Sequence, residues 1–279
     1  MRRLFTPVEV RAWRRDQGSV GFVPTMGFLH EGHLALMWQA KATNAAVIAS
    51  LFVNPLQFGP GEDFDRYPRA LEGDLAKLEA AGVDAVFTPG VDDLYPAGFD
   101  TRVEMGAVAA PLEGAVRPGH FTGVATVVLK LFNIVGPDRA YFGQKDAQQC
   151  AVIRRMVRDL DVPVDVVVAP TIREPDGLAM SSRNSYLDPQ ARTAAAVLFR
   201  ALSAAEGGFR EGRRDAEGLR ARMRAVLAAE PLANVDYVSI ADPDTLAEIS
   251  GEAGEGALAS LAVRIGATRL IDNLLLRSG

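Results

Sequence analysis

Two histidines, His30 and His33, have the spacing in this sequence that most directly suggests chemistry. Residues three apart lie on one face of a helical turn, beside backbone N–H groups without an intrahelical partner and beside the positive end of the helix dipole. Such a helix start attracts anions. The chain has only three histidines, and two of them fall in this turn. The pattern therefore favours a site for the phosphates of a nucleotide.

Glycines flank the two histidines. Gly27 and Gly32 remove side chains where a phosphate would approach the backbone. An ordinary helix start with exposed polar residues is the second interpretation, and a zinc site is the third. Paired histidines on a helix can bind zinc, but the spacing of the helical zinc-protease motif is absent. The sole cysteine, Cys150, cannot supply a thiolate cluster and is expected in the core.

Two other loops carry polar side chains directly after predicted strands. Asn54 and Gln57 place two amides in a turn-rich loop, although each would also suit an ordinary surface turn. Lys145 and Asp146 put a cation and a carboxylate side by side, which suits a polyphosphate and its Mg²⁺. Since ligands of open α/β sheets bind at the carboxyl ends of the strands, both loops are candidates for the same site.

A longer polar segment, residues 171–185, contains Ser181, Ser182 and Arg183 near its end. It is longer than a simple connection, which is typical of a loop that closes over a ligand. The alternative is an interdomain linker. Its hydroxyls and its guanidinium would suit the oxygens of a leaving group.

The elements that must position these residues alternate along the chain. Apolar runs predict strands at residues 20–24, 45–53, 85–88, 139–142 and 164–169, and helical patterns are predicted at 7–15, 33–43, 70–81, 122–135 and 147–160. Strands that are apolar on both faces and separated by helices indicate a parallel sheet covered on both sides. The predicted fold class is therefore α/β, a doubly wound, Rossmann-like parallel sheet.

Asp188-Pro189 is predicted to cap a new helix, and from there the sequence is rich in alanine and arginine. Helices are expected at 191–207 and 215–229, followed by strands at 234–241, 259–265 and 268–276. Gly266-Ala267 between the last two strands predicts a hairpin. We therefore predict a Rossmann-like domain at residues 1–171 and a smaller α+β domain at residues 172–279 that carries the Met-Ser-Ser-Arg-Asn closing loop.

The composition of the chain argues against several classes of protein. The chain has 279 residues, of which 48% are hydrophobic and 23% charged, so it can bury a large core. A net charge of −5 argues against a dedicated nucleic-acid binder. No apolar run has the length of a signal peptide or a membrane span, and one cysteine fits a reducing compartment. These features predict a cytoplasmic protein that binds neither nucleic acid nor membrane.

Five short motifs, taken in order, resemble the pantothenate synthetase family, the pantoate beta-alanine ligases of the class I nucleotidyltransferase superfamily. They are Pro24-Thr25-Met26-Gly27 with His30-x-Gly32-His33, Asn54-Pro55-x-Gln57-Phe58, Arg117-Pro118-x-His120-Phe121-x-Gly123-Val124, Gly143-x-Lys145-Asp146-x-Gln148-Gln149, and Arg173-Glu174-x-Asp176 through Met180-Ser181-Ser182-Arg183-Asn184. The resemblance implies that ATP, (R)-pantoate and beta-alanine are condensed through a pantoyl adenylate. It also implies the use of Mg²⁺ and a homodimer.

The resemblance assigns roles by matching position. His33 would be the general acid, assisted by His30, Lys145 and Arg183. Asn54, Gln57 and Gln149 would bind pantoate or beta-alanine, with Gln57 contacting both. The implied ATP site comprises Pro24, Thr25, Met26, Gly27, Phe28, Leu29, His30, Glu31, Gly32, His33, Gly143, Gln144, Lys145, Asp146, Ile172, Met180, Ser181, Ser182 and Arg183. The direct ligands of Mg²⁺ are left unassigned.

Three positions depart from the superfamily or family pattern. Phe28 replaces the usual alanine, Ala147 stands where many members have an aromatic residue, and Ala179 takes the place of the superfamily's first lysine in the closing loop.

The alternatives to this function are another nucleotidyltransferase of the superfamily, a tRNA synthetase, and a non-catalytic nucleotide-binding regulator. The amides of the two glutamines, Gln57 and Gln149, favour the ligase.

Overall fold

A computed structural model describes residues 1–277. Contacts divide the chain into two compact units, one of residues 1–143 and 152–170 and the other of residues 144–151 and 171–279. The predicted domain boundary between residues 171 and 172 stays a prediction. Among the described residues, no helix combines the length and apolar character needed to span a membrane.

The first unit contains a six-stranded parallel sheet, which confirms the predicted fold class. Its strand order is β1-β4-β3-β2-β5-β6. The strands are β1 (Arg2–Leu4), β2 (Val20–Thr25), β3 (Ala46–Leu51), β4 (Ala85–Phe87), β5 (Arg139–Gly143) and β6 (Asp165–Ala169). Going from β2, the chain adds strands first on one side and then on the other, so the order reverses between β2 and β5. That reversal is where such sheets bind ligands.

Helices connect these strands. They are α1 (Pro7–Arg15), α2 (Glu31–Thr43), α3 (Leu71–Ala80), α4 (Val91–Leu94), α5 (Glu113–Val116), α6 (His120–Val135) and α7 (Ala147–Asp159). The start of α1 follows from its sequence, because Thr6 and Glu9 form a reciprocal capping box on either side of Pro7. Side chains from β2, β3, β5, α2 and α3 share one apolar core.

The second unit packs helices against an antiparallel sheet. Its helices are α8 (Pro189–Ala194), α9 (Val197–Arg210) and α10 (Ala216–Ala228), and its strands are β7 (Ala233–Ala241), β8 (Gly256–Ile265) and β9 (Thr268–Arg277), in the order β7-β8-β9. Gly266, with φ of +57°, begins the predicted tight turn between β8 and β9.

Two details differ from the expectations. The strand β1 was not predicted, because a segment of three residues is stabilised only by its parallel pairing with β4. The single helix expected over residues 191–207 is two helices, α8 and α9, which are separated between Ala194 and Val197. The predicted cap, Asp188 before Pro189, does begin α8, since the Asp188 carboxylate accepts a hydrogen bond from the Ala191 N–H at 2.8 Å.

Candidate active site

The turn after β2 reverses the chain before the histidines. Gly27 has φ of +85° and Phe28 has φ of +53°, so two successive residues lie in the left-handed region. Glycine tolerates that conformation, whereas phenylalanine does not favour it. The hydroxyl of Thr25 accepts a hydrogen bond from the Gly27 N–H at 3.2 Å and donates to the Ser50 carbonyl at 2.8 Å. The end of β2 therefore fixes the start of the turn.

A buried carboxylate from α3 holds the rest of this turn. Asp74 is 2% exposed and accepts hydrogen bonds from the Phe28 and Leu29 N–H groups at 2.8 and 2.7 Å. One helical turn later, the Lys77 ammonium donates to the Leu29 carbonyl at 2.5 Å. A Cβ on Gly27 would lie 3.0 Å from Asp74 Oδ2, so a side chain at that position would crowd the carboxylate. Sequence reasoning missed Asp74, because an acidic residue in a first helical turn ordinarily serves the helix dipole.

The two histidines lie together, as their spacing predicted, with ring centroids 4.1 Å apart. His30 is the N-cap of α2 and precedes the first turn, while His33 is the third residue of the helix. His30 Nδ1 accepts a hydrogen bond from the Gly32 N–H at 3.2 Å, and His33 Nδ1 accepts one from the His30 N–H at 3.3 Å. The two imidazoles thus form a capping box of the kind usually made by serine and glutamate.

This capping box determines the tautomer of both rings. A ring nitrogen that accepts a hydrogen bond carries no proton, so each neutral imidazole bears its proton on Nε2. His30 and His33 therefore keep an N–H donor on the nitrogen that the helix cap does not use. Two such donors at a helix N-terminus suit the oxygens of a phosphate.

The amide loop after β3 is also ordered. Asn54 caps a 3₁₀ turn, Pro55–Gln57, and is 1% exposed. Its Nδ2 donates to Gln57 Oε1 and to the Gly123 carbonyl, each at 3.1 Å, and its Oδ1 accepts from the Tyr95 hydroxyl at 2.8 Å. The amide of Asn54 is thus engaged within the protein, where it orients Gln57.

Gln57 contacts the first loop. Its Nε2 lies 3.2 Å from the sulfur of Met26, so the structure brings these two predicted site residues together. The neighbouring helix α6 approaches closely because Gly123 has no side chain: a Cβ there would lie 2.2 Å from the Leu56 carbonyl oxygen. Gly123 is thereby required for the packing of α6 on this turn.

The backbone carbonyl of Gln57 is held by two side chains that were assigned no role from the sequence. His120 Nδ1 donates to it at 2.8 Å, and Arg117 Nη2 donates at 3.3 Å. Arg117 Nη1 lies 3.1 Å from His120 Nε2, so the arginine donates and the histidine is neutral with its proton on Nδ1. Burial, together with the charge of Arg117, lowers the pKa of His120 to about 4.

Glu62 completes this network. Its carboxylate receives two hydrogen bonds from Arg117, at 2.8 and 2.6 Å. Burial works to raise the pKa of Glu62, but the hydrogen bonds and charge of Arg117 outweigh it and the pKa lies below its ordinary value. Arg117 is therefore paired with Glu62 and held within hydrogen-bond distance of the Gln57 carbonyl.

In the second unit, the residues that follow β5 form a 3₁₀ turn, Gln144–Asp146. The Lys145 ammonium lies 3.5 Å from the Asp146 carboxylate, as expected of neighbouring charges. Asn273 of β9 donates to the carbonyls of Gln144 and Lys145 at 3.0 and 2.9 Å. Gln149 lies one turn further on, in α7, where it is partly buried. Cys150 is buried, as predicted.

The predicted closing loop begins as a small hairpin. Met180 N–H donates to the Ile172 carbonyl at 3.0 Å, and Arg173 forms an antiparallel bridge with Ala179. The turn of this hairpin contains Gly177, with φ of +91°, where a Cβ would lie 2.0 Å from the Phe199 ring. Ser181 then caps a 3₁₀ turn, Ser182–Tyr186, and its hydroxyl accepts from the Arg183 N–H at 3.3 Å.

The structure thus groups the predicted site residues into two sets, each described within its own unit. The first unit contains Pro24, Thr25, Met26, Gly27, Phe28, Leu29, His30, Glu31, Gly32, His33, Asn54, Gln57 and Gly143. The second contains Gln144, Lys145, Asp146, Gln149, Ile172, Met180, Ser181, Ser182 and Arg183. Within residues 1–277, no cluster of three or more His, Cys, Asp or Glu side chains is arranged to hold a metal ion.

The doubly wound sheet, with a phosphate-suited helix start at its switch point, places the chain in the Rossmann-like class of α/β nucleotide-binding proteins. A family model described as pantoate-beta-alanine ligase matches residues 4–275. The chain belongs to the pantoate-beta-alanine ligase family.

Relatives match the chain from end to end. A protein of Herpetosiphon aurantiacus named pantothenate synthetase is 63% identical over 276 residues, which cover 99% of this chain and 100% of the relative. One of Roseiflexus castenholzii with the same name is 62% identical and covers 100% of both chains.

Solved structures agree with this family. Pantothenate synthetase from Thermus thermophilus superposes with a TM-score of 0.94 at 54% identity, covering 98% of this chain and 99% of that chain. Pantoate-beta-alanine ligase from Francisella tularensis, described as complexed with beta-gamma ATP and beta-alanine, superposes with a TM-score of 0.82 at 35% identity, covering 100% and 99%.

Proposed function

We propose that this enzyme condenses (R)-pantoate with beta-alanine to form pantothenate, using ATP. The pantoate carboxylate attacks the α-phosphorus of ATP, which releases pyrophosphate and forms a pantoyl adenylate. The amine of beta-alanine then attacks the acyl carbon and displaces AMP. The observation that carries this proposal is the family match over residues 4–275, which includes every motif that bears a predicted site residue.

The histidine capping box supports the first step. Attack on phosphorus passes through a highly charged transition state, so positioning and charge stabilisation dominate its catalysis. His30 and His33 offer Nε2–H donors on rings whose orientation the helix start fixes. In this proposal His33 donates to the polyphosphate as general acid, and Lys145 and Arg183 neutralise further charge.

Gln57 supports the choice of substrates. Pantoate carries hydroxyls, which donate and accept hydrogen bonds, and a carboxylate, which accepts them. An amide side chain offers both a donor and an acceptor. The Gln57 side chain is held by Asn54 and its backbone by Arg117 and His120. We assign Gln57 to pantoate and beta-alanine and Gln149 to pantoate. Asn54 is assigned to orienting Gln57.

The residues present are compatible with Mg²⁺ carried by the nucleotide. Mg²⁺ is commonly held by one or two carboxylates together with substrate phosphates. Asp146 supplies one half-exposed carboxylate in the turn that bears Lys145. Asp146 would hold the ion, which when bound neutralises charge on the phosphates.

The family resemblance also supports proposals for the cellular compartment and the oligomeric state of the protein. We assign it to the cytoplasm, in keeping with its single, buried cysteine. We also assign it a homodimeric state, which sedimentation equilibrium of the purified protein tests directly. A monomer at micromolar concentration would contradict the second assignment.

The reaction is tested with purified protein, ATP and Mg²⁺. AMP should accumulate only when both pantoate and beta-alanine are present. Exchange of labelled pyrophosphate into ATP should require pantoate but not beta-alanine, because the adenylate forms first. Equal turnover with unrelated hydroxy acids, or exchange that depends on beta-alanine, would overturn the assignment.

A further inference from the structure

Two adjacent polar residues on β9, Asp272 and Asn273, are buried in the second unit, with exposures of 2% and 3%. Successive residues of a strand point to opposite faces, so the two side chains serve different neighbours. Buried polar groups need hydrogen-bond partners. In this strand, both partners belong to segments that the proposed function assigns to ATP.

Asn273 uses its amide fully. Its Nδ2 donates both protons, to the Gln144 and Lys145 carbonyls at 3.0 and 2.9 Å, and its Oδ1 accepts from Gln144 Nε2 at 3.1 Å. The two hydrogen bonds to carbonyls fix the backbone of the 3₁₀ turn from which the Lys145 side chain extends, and the third holds the Gln144 side chain. A lysine side chain is long and flexible, so its reach depends on how firmly its backbone is held.

Asp272 fixes the start of the closing loop. Its carboxylate binds the Arg173 guanidinium through two hydrogen bonds of 2.6 and 3.0 Å. The same guanidinium donates to the Gly177 carbonyl at 3.0 Å and to the Asn273 carbonyl at 3.2 Å, and it stacks over the Phe199 ring at 4.4 Å. Since Arg173 pairs with Ala179 across the hairpin, this anchorage extends to the residue before Met180.

We infer that Asp272 and Asn273 are positioning residues which set the distance between the Lys145 turn and the Met180–Arg183 segment. This inference rests on the proposed function, because it gives those two segments a common ligand, ATP. One dipeptide of β9, which pairs with β8 along its whole length, holds both segments and so couples the position of one to that of the other. Such preorganisation matters, since a misplacement of about 1 Å costs about 10²-fold in rate.

The test uses Asn273→Asp, which preserves size, removes both donors and places a carboxylate against two carbonyl oxygens. The dissociation constant of ATP, measured by titration calorimetry on the full chain, should rise about tenfold or more, as expected for two lost hydrogen bonds. The KM for beta-alanine, in contrast, should change by less than about twofold in the same variant. Asn234→Asp makes the same change at an exposed position of the same sheet and should leave both constants unaltered.

A double-mutant cycle that combines Asn273→Asp with Lys145→Ala distinguishes a positioning role of Asn273 from general structural damage. If Asn273 acts through Lys145, Asn273→Asp should weaken ATP binding much less in the Lys145→Ala background. Asn273→Ser, which adds no charge, provides the same comparison if the aspartate variant is poorly folded. Unchanged ATP affinity in the folded variants, or fully additive effects, would overturn the inference. Failure of the unsubstituted protein to bind ATP would instead overturn the proposed function.

Discussion

The Asp74 carboxylate and the Phe28 N–H are joined by a 2.8 Å hydrogen bond although they lie 46 positions apart in the chain. The same carboxylate accepts from Leu29, and together these contacts hold a left-handed turn immediately before the histidine cap. A helix on the flank of the sheet thereby determines how the chain enters the proposed phosphate site. The backbone conformation of that turn is unfavourable in isolation, so it depends on Asp74.

Asp74→Asn should test this dependence, because one amide group replaces a carboxylate that accepts two hydrogen bonds. We expect a loss of about 1 to 3 kcal/mol in the free energy of unfolding. We also expect kcat/KM for ATP to fall about tenfold, since the turn leads into His30. Urea unfolding and steady-state kinetics measure the two effects. Asp92→Asn, at an exposed position of α4, is the control, and equal behaviour of the two variants would contradict the role of Asp74.

His33 contributes two separable features, an acceptor at Nδ1 and a donor at Nε2. Asparagine places an amide near the Nδ1 position and glutamine places one near the Nε2 position. We therefore expect His33→Asn to keep the helix cap but to lose about 10²-fold in adenylate formation, the same loss that we expect for His33→Ala. His33→Gln should retain more activity but lose more of the stability that the helix cap provides. Pyrophosphate exchange and thermal unfolding distinguish the variants, and the reverse ranking would contradict the assigned tautomer.

His120 should make stability depend on pH. Its pKa in the folded protein, about 4, lies below the ordinary value of 6.5, so the folded state favours the neutral ring. As pH falls below about 6.5 the unfolded chain takes up a proton that the folded chain does not, and stability declines until about pH 4. Arg117 beside the ring opposes its protonation, whereas Glu62 and Glu113 favour it.

The pH effect is measured by urea unfolding at about pH 7, 6 and 5. The decline should approach, but not exceed, about 1.4 kcal/mol per pH unit relative to His120→Leu, which cannot titrate. His120→Asn should retain the donor to the Gln57 carbonyl and preserve the KM for pantoate better than His120→Leu. Parallel loss of stability in the unsubstituted protein and His120→Leu would exclude the histidine as the cause.

The ion pair of Arg173 with Asp272 should be costly to break. Burial raises the pKa of Asp272, and the hydrogen bonds and charge of Arg173 oppose that rise. Asp272→Asn leaves the guanidinium without its counter-ion, and we expect the free energy of unfolding to fall by about 3 to 5 kcal/mol. Asp159→Asn breaks an exposed pair with Arg155 and should cost less than about 1 kcal/mol. Similar losses of stability in the two variants would contradict the expectation that the buried ion pair contributes more than the exposed one.

Gly123 should tolerate no side chain. Gly123→Ala would place a Cβ 2.2 Å from the Leu56 carbonyl oxygen, so α6 or the 3₁₀ turn must move. We expect a loss of about 1 to 3 kcal/mol in stability, typical of overpacking, and a higher KM for pantoate. Gly73→Ala in α3 has open space around the new Cβ and should be neutral or stabilising by up to about 1 kcal/mol. A harmless Gly123→Ala would contradict the close approach of α6.

Local sequence was sufficient to predict the features that depend on neighbouring residues. The alternation of apolar strands and helices predicted the parallel sheet, the spacing of His30 and His33 predicted their adjacency, and Gly266 predicted the hairpin. The order of the five motifs predicted the family, which the comparisons confirm. These predictions succeed because periodicity, capping and turn formation act over a few residues.

Tertiary structure decided the contacts between distant segments. Three hydrogen bonds join parts of the chain that no local pattern relates. They link Asp74 to the Phe28 N–H, His120 to the Gln57 carbonyl and Asn273 to the Lys145 carbonyl. The same is true of β1, which is a strand only because β4 lies beside it. A buried carboxylate, imidazole or amide is stable only when folding delivers its partners, so its role follows from the arrangement of the chain in space and not from its own identity.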